Sequence, residues 1–175
     1  MSESLKLHIA QVFRAEVAEA GFNHVSVVQL MKKSGIRRQT FYDNFQDKYD
    51  LLTYTIQAMM EKDIEKNIGC LKWEEIIFQV FYSVEVNKDF YKSVYESQKE
   101  VDVVGEISRH IAVLLQKIVE DEGAACRQQA GDFVEVFSIG LTYTMIDNLF
   151  KLRPLESDVI ADKVNNALHF TLKTQ

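Results

Sequence analysis

The chain has 175 residues, of which 47% are hydrophobic and 26% charged, and its formal net charge at pH 7 is −6. This composition excludes low-complexity and fibrous classes, and no uncharged run approaches the roughly 20 residues of a membrane-spanning helix. The first residues lack a basic and apolar export signal, so we expect a cytoplasmic protein with no membrane partner.

Hydrophobic spacing indicates helices along the whole chain, and no stretch shows the sustained alternation of a strand. We therefore predict an all-α fold. The first helix is predicted over Leu5–Ala20, with one apolar face formed by Leu5, Ile9, Val12, Phe13 and Val17. Glycines stand at or near the ends of most of the later patterns, where helices commonly end.

A short helix is predicted after Ser26, because several local signals coincide there. Ser26 and Gln29 stand at the spacing of a capping box, in which each side chain accepts a hydrogen bond from the other's backbone amide. Val25 and Leu30 flank this cap at the spacing of a hydrophobic staple. Gly35 supplies the residue that tolerates the left-handed conformation ending a helix.

A second short helix is predicted after Gly35, and it opens on Arg37 and Arg38. Phe41 and Phe45 lie four residues apart, so they share one face and are expected in the core. The opposite face is predicted to carry Gln39, Tyr42 and Asp43. Two short helices joined by a tight turn form a helix-turn-helix, whose second helix enters the DNA major groove.

The charge distribution supports a DNA-binding segment. The first fifty residues hold seven basic and six acidic residues, against 13 and 20 in the remainder. Between Glu19 and Asp43 there is no acidic residue, and four basic residues fall there: Lys32, Lys33, Arg37 and Arg38. A locally basic face suits phosphate binding. The alternative is that these four residues only solvate a helical hairpin.

The remainder of the chain is predicted to be a helical domain. Asp47 is placed to cap a long fourth helix from Lys48 to about Asn67. Further helices are predicted near residues 72–86, 88–98, 104–121, 131–151 and 156–173. We therefore divide the chain into a DNA-binding domain over residues 1–47 and a helical dimerisation and effector- or partner-binding domain over residues 48–175, joined by the long helix.

The last two helices each carry a stripe that suits a homodimer. The spacing of these residues predicts a symmetric four-helix interface formed by two helices from each subunit. The alternative is that both stripes belong to the core of a single chain. The predicted interface residues are Phe137, Gly140, Leu141, Thr144, Ile160, Val164 and Leu168.

Residues 35–52, GIRRQTFYDNFQDKYDLL, resemble the signature of TetR-type transcriptional regulators. Within that family the segment most resembles regulators of dihydroxyacetone-kinase operons. The resemblance implies a homodimer that binds an inverted-repeat operator and is controlled through its C-terminal domain. The matching positions are Gly35, Ile36, Thr40, Phe41, Tyr42, Phe45, Lys48, Leu51 and Leu52.

The resemblance also assigns DNA contacts to individual residues. Base contacts fall on Arg37, Arg38 and Gln39, since arginine pairs with guanine and glutamine with adenine. Phosphate contacts fall on Ser26, Thr40, Tyr42, Asn44 and Lys48. Two positions depart from the family pattern: Asn44 replaces the usual histidine, and Arg37 stands where a small capping residue is common. We therefore expect a less well capped start of the second short helix.

The family places an effector pocket in the C-terminal half, and this half is rich in aromatic residues. Such residues are more often core than ligand wall, but a buried tyrosine hydroxyl needs a polar partner. The candidates for an unknown small-molecule effector are Tyr82, Tyr95, Arg109, His110, Phe137 and Tyr143. This half is short for the family, so its pocket is expected to be small or absent. In that case a protein co-regulator, instead of a small molecule, would control the regulator.

Metal and enzyme functions are weakly supported. The four histidines and the two cysteines, Cys70 and Cys126, are scattered without metal-ligand spacing, and we expect free thiols and no metal site. A metal-responsive regulator is nevertheless kept as an alternative. The chain has no nucleophile elbow or phosphate-binding glycine loop, so we expect no catalytic residues, no cofactor and no enzyme activity.

Overall fold

The computed structural model describes residues 3–97, 99–122 and 127–173, and they are almost entirely helical, which confirms the all-α prediction. The described residues include no helix long and apolar enough to cross a membrane. Cys70 is an exposed free thiol, and Cys126 lies outside the described residues. The helices are α1 Glu3–Ala20, α2 Val27–Ser34, α3 Arg38–Tyr42, α4 Lys48–Asp63, α5 Trp73–Val86, α6 Lys88–Ser97, α7 Val103–Asp121, α8 Arg127–Phe150 and α9 Ser157–Lys173.

The described residues form two compact units. The N-terminal unit comprises the residues up to Met59 together with Asn87–Val103, and the C-terminal unit comprises Met60–Val86 together with the residues from Val104 onward. Helix α6 therefore belongs to the N-terminal unit. The functional division after residue 47 stays a prediction.

The core of the N-terminal unit forms where α1 packs against α2 and α6. Ile9, Phe13 and Val17 on α1 are fully buried, as their helical spacing predicts. Phe22 meets Phe13 edge to face with ring centroids 6.3 Å apart. The backbone amide of Phe22 donates to Ser93 Oγ on α6 over 2.8 Å, so α6 holds the turn that precedes α2.

The core of the C-terminal unit centres on α5 packed along α9. Helix α5 buries Ile76, Ile77, Val80 and Val84. The backbone amide of Ser157 donates to Glu85 Oε2 over 3.0 Å, which ties the start of α9 to α5.

The long fourth helix is shorter than predicted, because it ends at Asp63 and gives way to a 3₁₀ turn over Glu65–Asn67. The Asn67 side chain donates to the carbonyl oxygens of Lys62 and Asp63 over 3.0 and 3.1 Å. These carbonyls lack partners within the helix, so a side-chain donor satisfies them and stabilises the end there.

Candidate nucleic-acid interface

Helix α2 begins at the predicted capping box. Ser26 Oγ accepts from the Gln29 amide over 3.3 Å, and Gln29 Oε1 accepts from the Ser26 amide over 3.2 Å. Val25 and Leu30 are both buried beside this cap. Gly35 ends the helix at φ 67°, ψ 25°, the left-handed region in which a side chain is disfavoured. The first helix and the turn of the motif are therefore confirmed.

Helix α3 is five residues long and is held by its aromatic side chains. Phe41 is fully buried and Phe45 nearly so, and their ring centroids lie 5.8 Å apart. At its start, Arg37 makes no side-chain capping hydrogen bond, as expected for a residue that replaces a small cap. The orientation of this short helix therefore depends on packing more than on capping.

The three predicted base-contacting residues all lie on the solvent side of this segment. Arg37, Arg38 and Gln39 are exposed, with Arg37 at the N-cap of α3 and the other two in its first turn. The Arg38 guanidinium lies 5.2 Å from the centroid of the Tyr42 ring, one turn further along. Such a cation–π contact is worth about 0.5–1 kcal/mol at an exposed site, and it favours one orientation of the arginine.

The predicted phosphate contacts are not equally available. Tyr42 is 47% exposed and lies beside Arg38. Ser26 is exposed, but its hydroxyl takes part in the capping box. Asn44 donates its side-chain amide to the Thr40 carbonyl over 2.7 Å, and both residues are half-buried. In this structure the Asn44 amide therefore supports the end of α3, whereas the Tyr42 side chain is exposed.

The phosphate contact of Lys48 stays a prediction, and in this structure the Lys48 ammonium points to protein carbonyls. Its Nζ donates to the Phe22 carbonyl over 3.2 Å and to the Val25 carbonyl over 3.5 Å. The ammonium also lies 4.5 Å from the centroid of the Phe22 ring and 5.7 Å from that of Tyr49. Lys48 thus connects the start of α4 to the turn before α2, and it acts here as a positioning residue.

The basic residues around α2 also differ in availability. Lys32 and Lys33 are both exposed. Lys33 donates to Glu16 Oε1 on α1, and this hydrogen bond raises the pKa of the Lys33 ammonium above its ordinary value. The charge of Lys33 is therefore partly balanced inside the unit. The net positive surface rests more on Lys32, Arg37 and Arg38.

The residues predicted for the dimer interface lie in two kinds of environment, and the interface itself stays a prediction. Leu141, Ile160, Val164 and Leu168 are buried within the single chain, which is the alternative that their spacing left open. Of the other three residues, Phe137 is half-buried, whereas Gly140 and Thr144 are exposed. Thr144 Oγ1 donates to the Gly140 carbonyl over 2.8 Å, so this hydroxyl is satisfied within α8.

Helix α8 exposes a different apolar stripe, which its sequence pattern did not predict. Val136, Ile139, Tyr143 and Phe150 face solvent with exposed fractions of 67%, 43%, 50% and 39%. The opposite face of α8 buries Leu141, Met145, Ile146 and Leu149. Because this helix is apolar on two faces, periodicity could not tell which face is the core.

The effector candidates do not enclose a ligand within the chain. Tyr82, Tyr95, Arg109 and Tyr143 are exposed, while His110 and Phe137 are half-buried. Arg109 is paired with Glu106 on its own helix, and His110 Nδ1 lies 2.5 Å from Glu65 Oε1. Tyr82 lines a groove between α5 and α9, whereas Arg109 lines a separate groove beside α7.

The described residues include no group of three or more His, Cys, Asp and Glu side chains placed to hold a metal ion. His169 instead contacts Glu74 over 3.2 Å.

Comparison with known proteins gives a consistent assignment. Residues 72–170 match the TetR_C_8 family model, described as a transcriptional regulator C-terminal region. The HTH-type dhaKLM operon transcriptional activator DhaS of Lactococcus lactis subsp. lactis strain IL1403 is 26% identical over 94 residues. That match covers 54% of this chain and only 50% of the relative.

Solved structures share the fold. The dihydroxyacetone kinase operon activator DhaS superposes with a TM-score of 0.84 at 18% identity, covering 99% of this chain and 98% of that one. A TetR transcriptional regulator from Streptococcus agalactiae 2603V superposes with a TM-score of 0.65 at 14% identity, covering 98% and 93%. Together with the family match over more than half of the chain, these findings show that the protein is a transcriptional regulator of the TetR family and not an enzyme.

Proposed function

We propose that this regulator binds an inverted-repeat operator in double-stranded DNA as a homodimer and is controlled through its C-terminal unit. The observation that carries the proposal is the exposed row Arg37, Arg38 and Gln39 on a helix anchored by buried Phe41 and Phe45. A short helix that presents hydrogen-bonding side chains and is fixed by its apolar face suits entry into the major groove.

The contacts divide by chemistry. Arg38 and Gln39 are proposed to contact bases, because an arginine or glutamine pairs with a purine edge through two hydrogen bonds worth about 1–3 kcal/mol of discrimination. Arg37 is proposed to act with them at the start of α3. Tyr42 and Lys32 are proposed to bind phosphates, which hold the protein on DNA of any sequence.

The homodimer is proposed to form through the exposed stripe of α8 (Val136, Ile139, Tyr143 and Phe150) together with Gly140 and Thr144. An apolar surface of this length in water favours association with another surface of the same kind. In a two-fold dimer the same stripe meets itself, so one helix face suffices for both subunits. Each subunit then presents one α3 to one half of the operator.

Selection of bound DNA from a random pool tests the proposal directly. We expect enrichment of a sequence with two inverted half-sites, spaced by about one helical turn of DNA or a multiple of it. Sedimentation of the complex should give two chains for each site. Enrichment of a single asymmetric element by a monomer would contradict the homodimer, and no enrichment at all would contradict sequence-specific binding.

Activation, as opposed to repression, is a further part of the proposal, and it is taken from the relatives. Both relatives named DhaS are described as operon activators, so we propose that this chain activates transcription from an operon of the dihydroxyacetone-kinase type. Transcription in vitro from a template with the selected operator should increase when the protein is added. A decrease would instead assign repression.

The nature of the controlling signal has three candidates: a small effector, a protein partner and a metal ion. The exposure of Tyr82, Tyr95 and Arg109 favours a protein partner, since an enclosed ligand would be held by buried walls. Melting temperature measured against a metabolite panel and against zinc would separate the candidates. A rise with one metabolite would assign an effector, and a rise with zinc accompanied by bound metal would assign a metal.

A further inference from the structure

A groove between α5 and α9 has a composition unlike its neighbours. It has a volume of about 560 Å³ and lies within the C-terminal unit. Four of its ten lining residues are carboxylates, and none is a lysine or arginine. The two grooves beside α7 carry both signs of charge, with Lys117 in each. We name this groove, lined by Glu74, Glu75, Phe78, Tyr82, Asp158 and Asp162, the acidic aromatic groove.

The apolar part of this groove is formed by two aromatic side chains that the fold does not need. Phe78 and Tyr82 are 42% and 52% exposed, and their rings stack with centroids 5.9 Å apart. Helix α5 already buries Ile77 and Phe81 on its inner face. The outer pair therefore contributes little to the core, and an exposed aromatic pair in a groove is typical of an interaction site.

The carboxylates of the groove determine which charge a partner must carry. Asp158 and Asp162 lie one turn apart on α9, opposite Glu74 and Glu75 on α5. Glu74 contacts His169, Glu75 Oε2 accepts from the Lys72 amide and Asp158 Oδ1 accepts from the Val159 amide, so Asp162 carries the least compensated of the four charges. A negative rim around an apolar floor attracts a positive rim around an apolar ridge, and the aromatic faces add cation–π attraction.

The shape of the groove sets the size of the occupant. On α5 its lining residues run from Glu74 to Tyr82, a rise of about 12 Å at 1.5 Å per residue. On α9 they run from Asp158 to Asn165, a rise of about 10 Å. This length accommodates about two turns of an α-helix laid along the groove.

We propose that the acidic aromatic groove docks a basic amphipathic helix of a protein partner, and that this docking is the control proposed for the C-terminal unit. The helix presents apolar side chains to Phe78 and Tyr82 and lysine or arginine side chains to Asp158 and Asp162. The inference rests on the proposed control by a partner. It adds the place of docking and the chemistry of the partner.

The test uses two fluorescein-labelled model peptides of about three helical turns. One repeats leucine and lysine, and the other has the same leucine positions with glutamate in place of lysine. Fluorescence anisotropy with the full chain should show binding of the basic peptide and at least about tenfold weaker binding of the acidic one. When the basic peptide is titrated in an NMR experiment, the backbone amide signals that shift should belong to residues of α5 and α9. Equal binding of the two peptides would overturn the proposal.

Variants of the groove separate its two chemistries. Asp158→Asn together with Asp162→Asn should weaken binding of the basic peptide by about threefold to tenfold and reduce its salt dependence, since each exposed ion pair is worth at most about 1 kcal/mol. Phe78→Ala together with Tyr82→Ala should weaken it by about tenfold or more without changing the salt dependence. Glu120→Gln, in the groove beside α7, is the matched control and should have no effect. Loss of binding in the control alone, or in none of the variants, would contradict the proposal.

Two further measurements distinguish a peptide site from a small-ligand site, and a failure of this inference from a failure of the proposed function. Benzyltrimethylammonium is titrated as a small cation, and a response to it in the absence of peptide binding would assign the groove to a small ligand. The same variants are also tested on the selected operator, where we expect wild-type affinity. Failure of the wild-type chain to bind DNA would contradict the proposed function, whereas failure of peptide binding with intact DNA binding would contradict only this inference.

Discussion

The two units of this chain expose surfaces of opposite chemistry. In the N-terminal unit, α3 buries Phe41 and turns Arg37, Arg38 and Gln39 to solvent. In the C-terminal unit, α8 turns Val136 and other apolar side chains to solvent. A surface of cations and donors suits a polyanion, whereas an apolar surface suits another protein.

This difference implies that salt separates the two interactions. Binding of phosphates releases counterions, so the affinity of α3 for DNA falls steeply as the salt concentration rises. Association through an apolar stripe depends on removal of water from carbon surfaces and changes little over the same range. The dimer is thus expected to persist at salt concentrations at which DNA has dissociated, and each variant below tests one side of this contrast.

The largest expected effect comes from removing the anchor of the DNA-binding segment. Phe41→Ala deletes a fully buried ring and should lower the free energy of unfolding of the N-terminal unit by about 3–5 kcal/mol. Urea denaturation of the full chain measures this change. Val28→Ala, at an exposed position on α2, should change it by less than about 0.5 kcal/mol. Similar values for the two variants would show that α3 is not held by its buried face.

The second-largest effect is expected on dimerisation through the apolar stripe of α8. Ile139→Asp places a carboxylate in the α8 stripe, where a dimer would bury it, and should weaken dimerisation by about a hundredfold or more. Analytical ultracentrifugation at low and high salt measures the dissociation constant. Val113→Asp on α7 is the matched control, because Val113 is similarly exposed. A dimer that withstands Ile139→Asp and is lost in the control would place the interface elsewhere.

A smaller effect is expected on the choice of DNA sequence. Arg38→Ala should reduce the preference for the selected operator over scrambled DNA by about 1–3 kcal/mol, because the bidentate contact to a base is lost. Lys32→Ala serves as comparison and should weaken binding to both DNAs equally. Affinities from a titration at several salt concentrations give both quantities. An unchanged preference in Arg38→Ala would move base recognition to other residues.

The features that depended on neighbouring residues were predictable from the sequence. The capping box of Ser26 and Gln29, the left-handed Gly35 and the burial of Phe41 and Phe45 all involve residues within about one or two turns of each other. Their physical causes are complete within the segment, so tertiary packing did not override them.

The features that the sequence left open depend on residues far apart in the chain. Lys48 donates a hydrogen bond to the carbonyl of Phe22, 26 residues away, and no local sequence pattern predicts such a pair. Likewise, the core face of α8 is chosen by the helices around it, since both of its faces are apolar. The family pattern for Lys48 and the spacing of Leu141 were therefore compatible with more than one role.

The smallest expected effect decides between the two roles of Lys48. Lys48→Met keeps most of the side-chain volume and removes the ammonium that binds the carbonyls of Phe22 and Val25. As a positioning residue, its loss should lower the free energy of unfolding by about 1–2 kcal/mol, since hydrogen bonds from a charged group are among the stronger ones. It should leave the salt slope of DNA binding unchanged.

Salt titration of DNA binding by Lys48→Met, with Lys32→Ala in parallel, completes the test. Each lost phosphate contact reduces the salt slope by about 0.9, and Lys32→Ala is expected to show that reduction. If Lys48→Met shows it too while its stability is unaltered, the ammonium leaves the carbonyls for a phosphate when DNA binds. An unchanged slope with lower stability assigns Lys48 to the packing of the N-terminal unit, where it sets the position of α4 against the turn that carries Phe22.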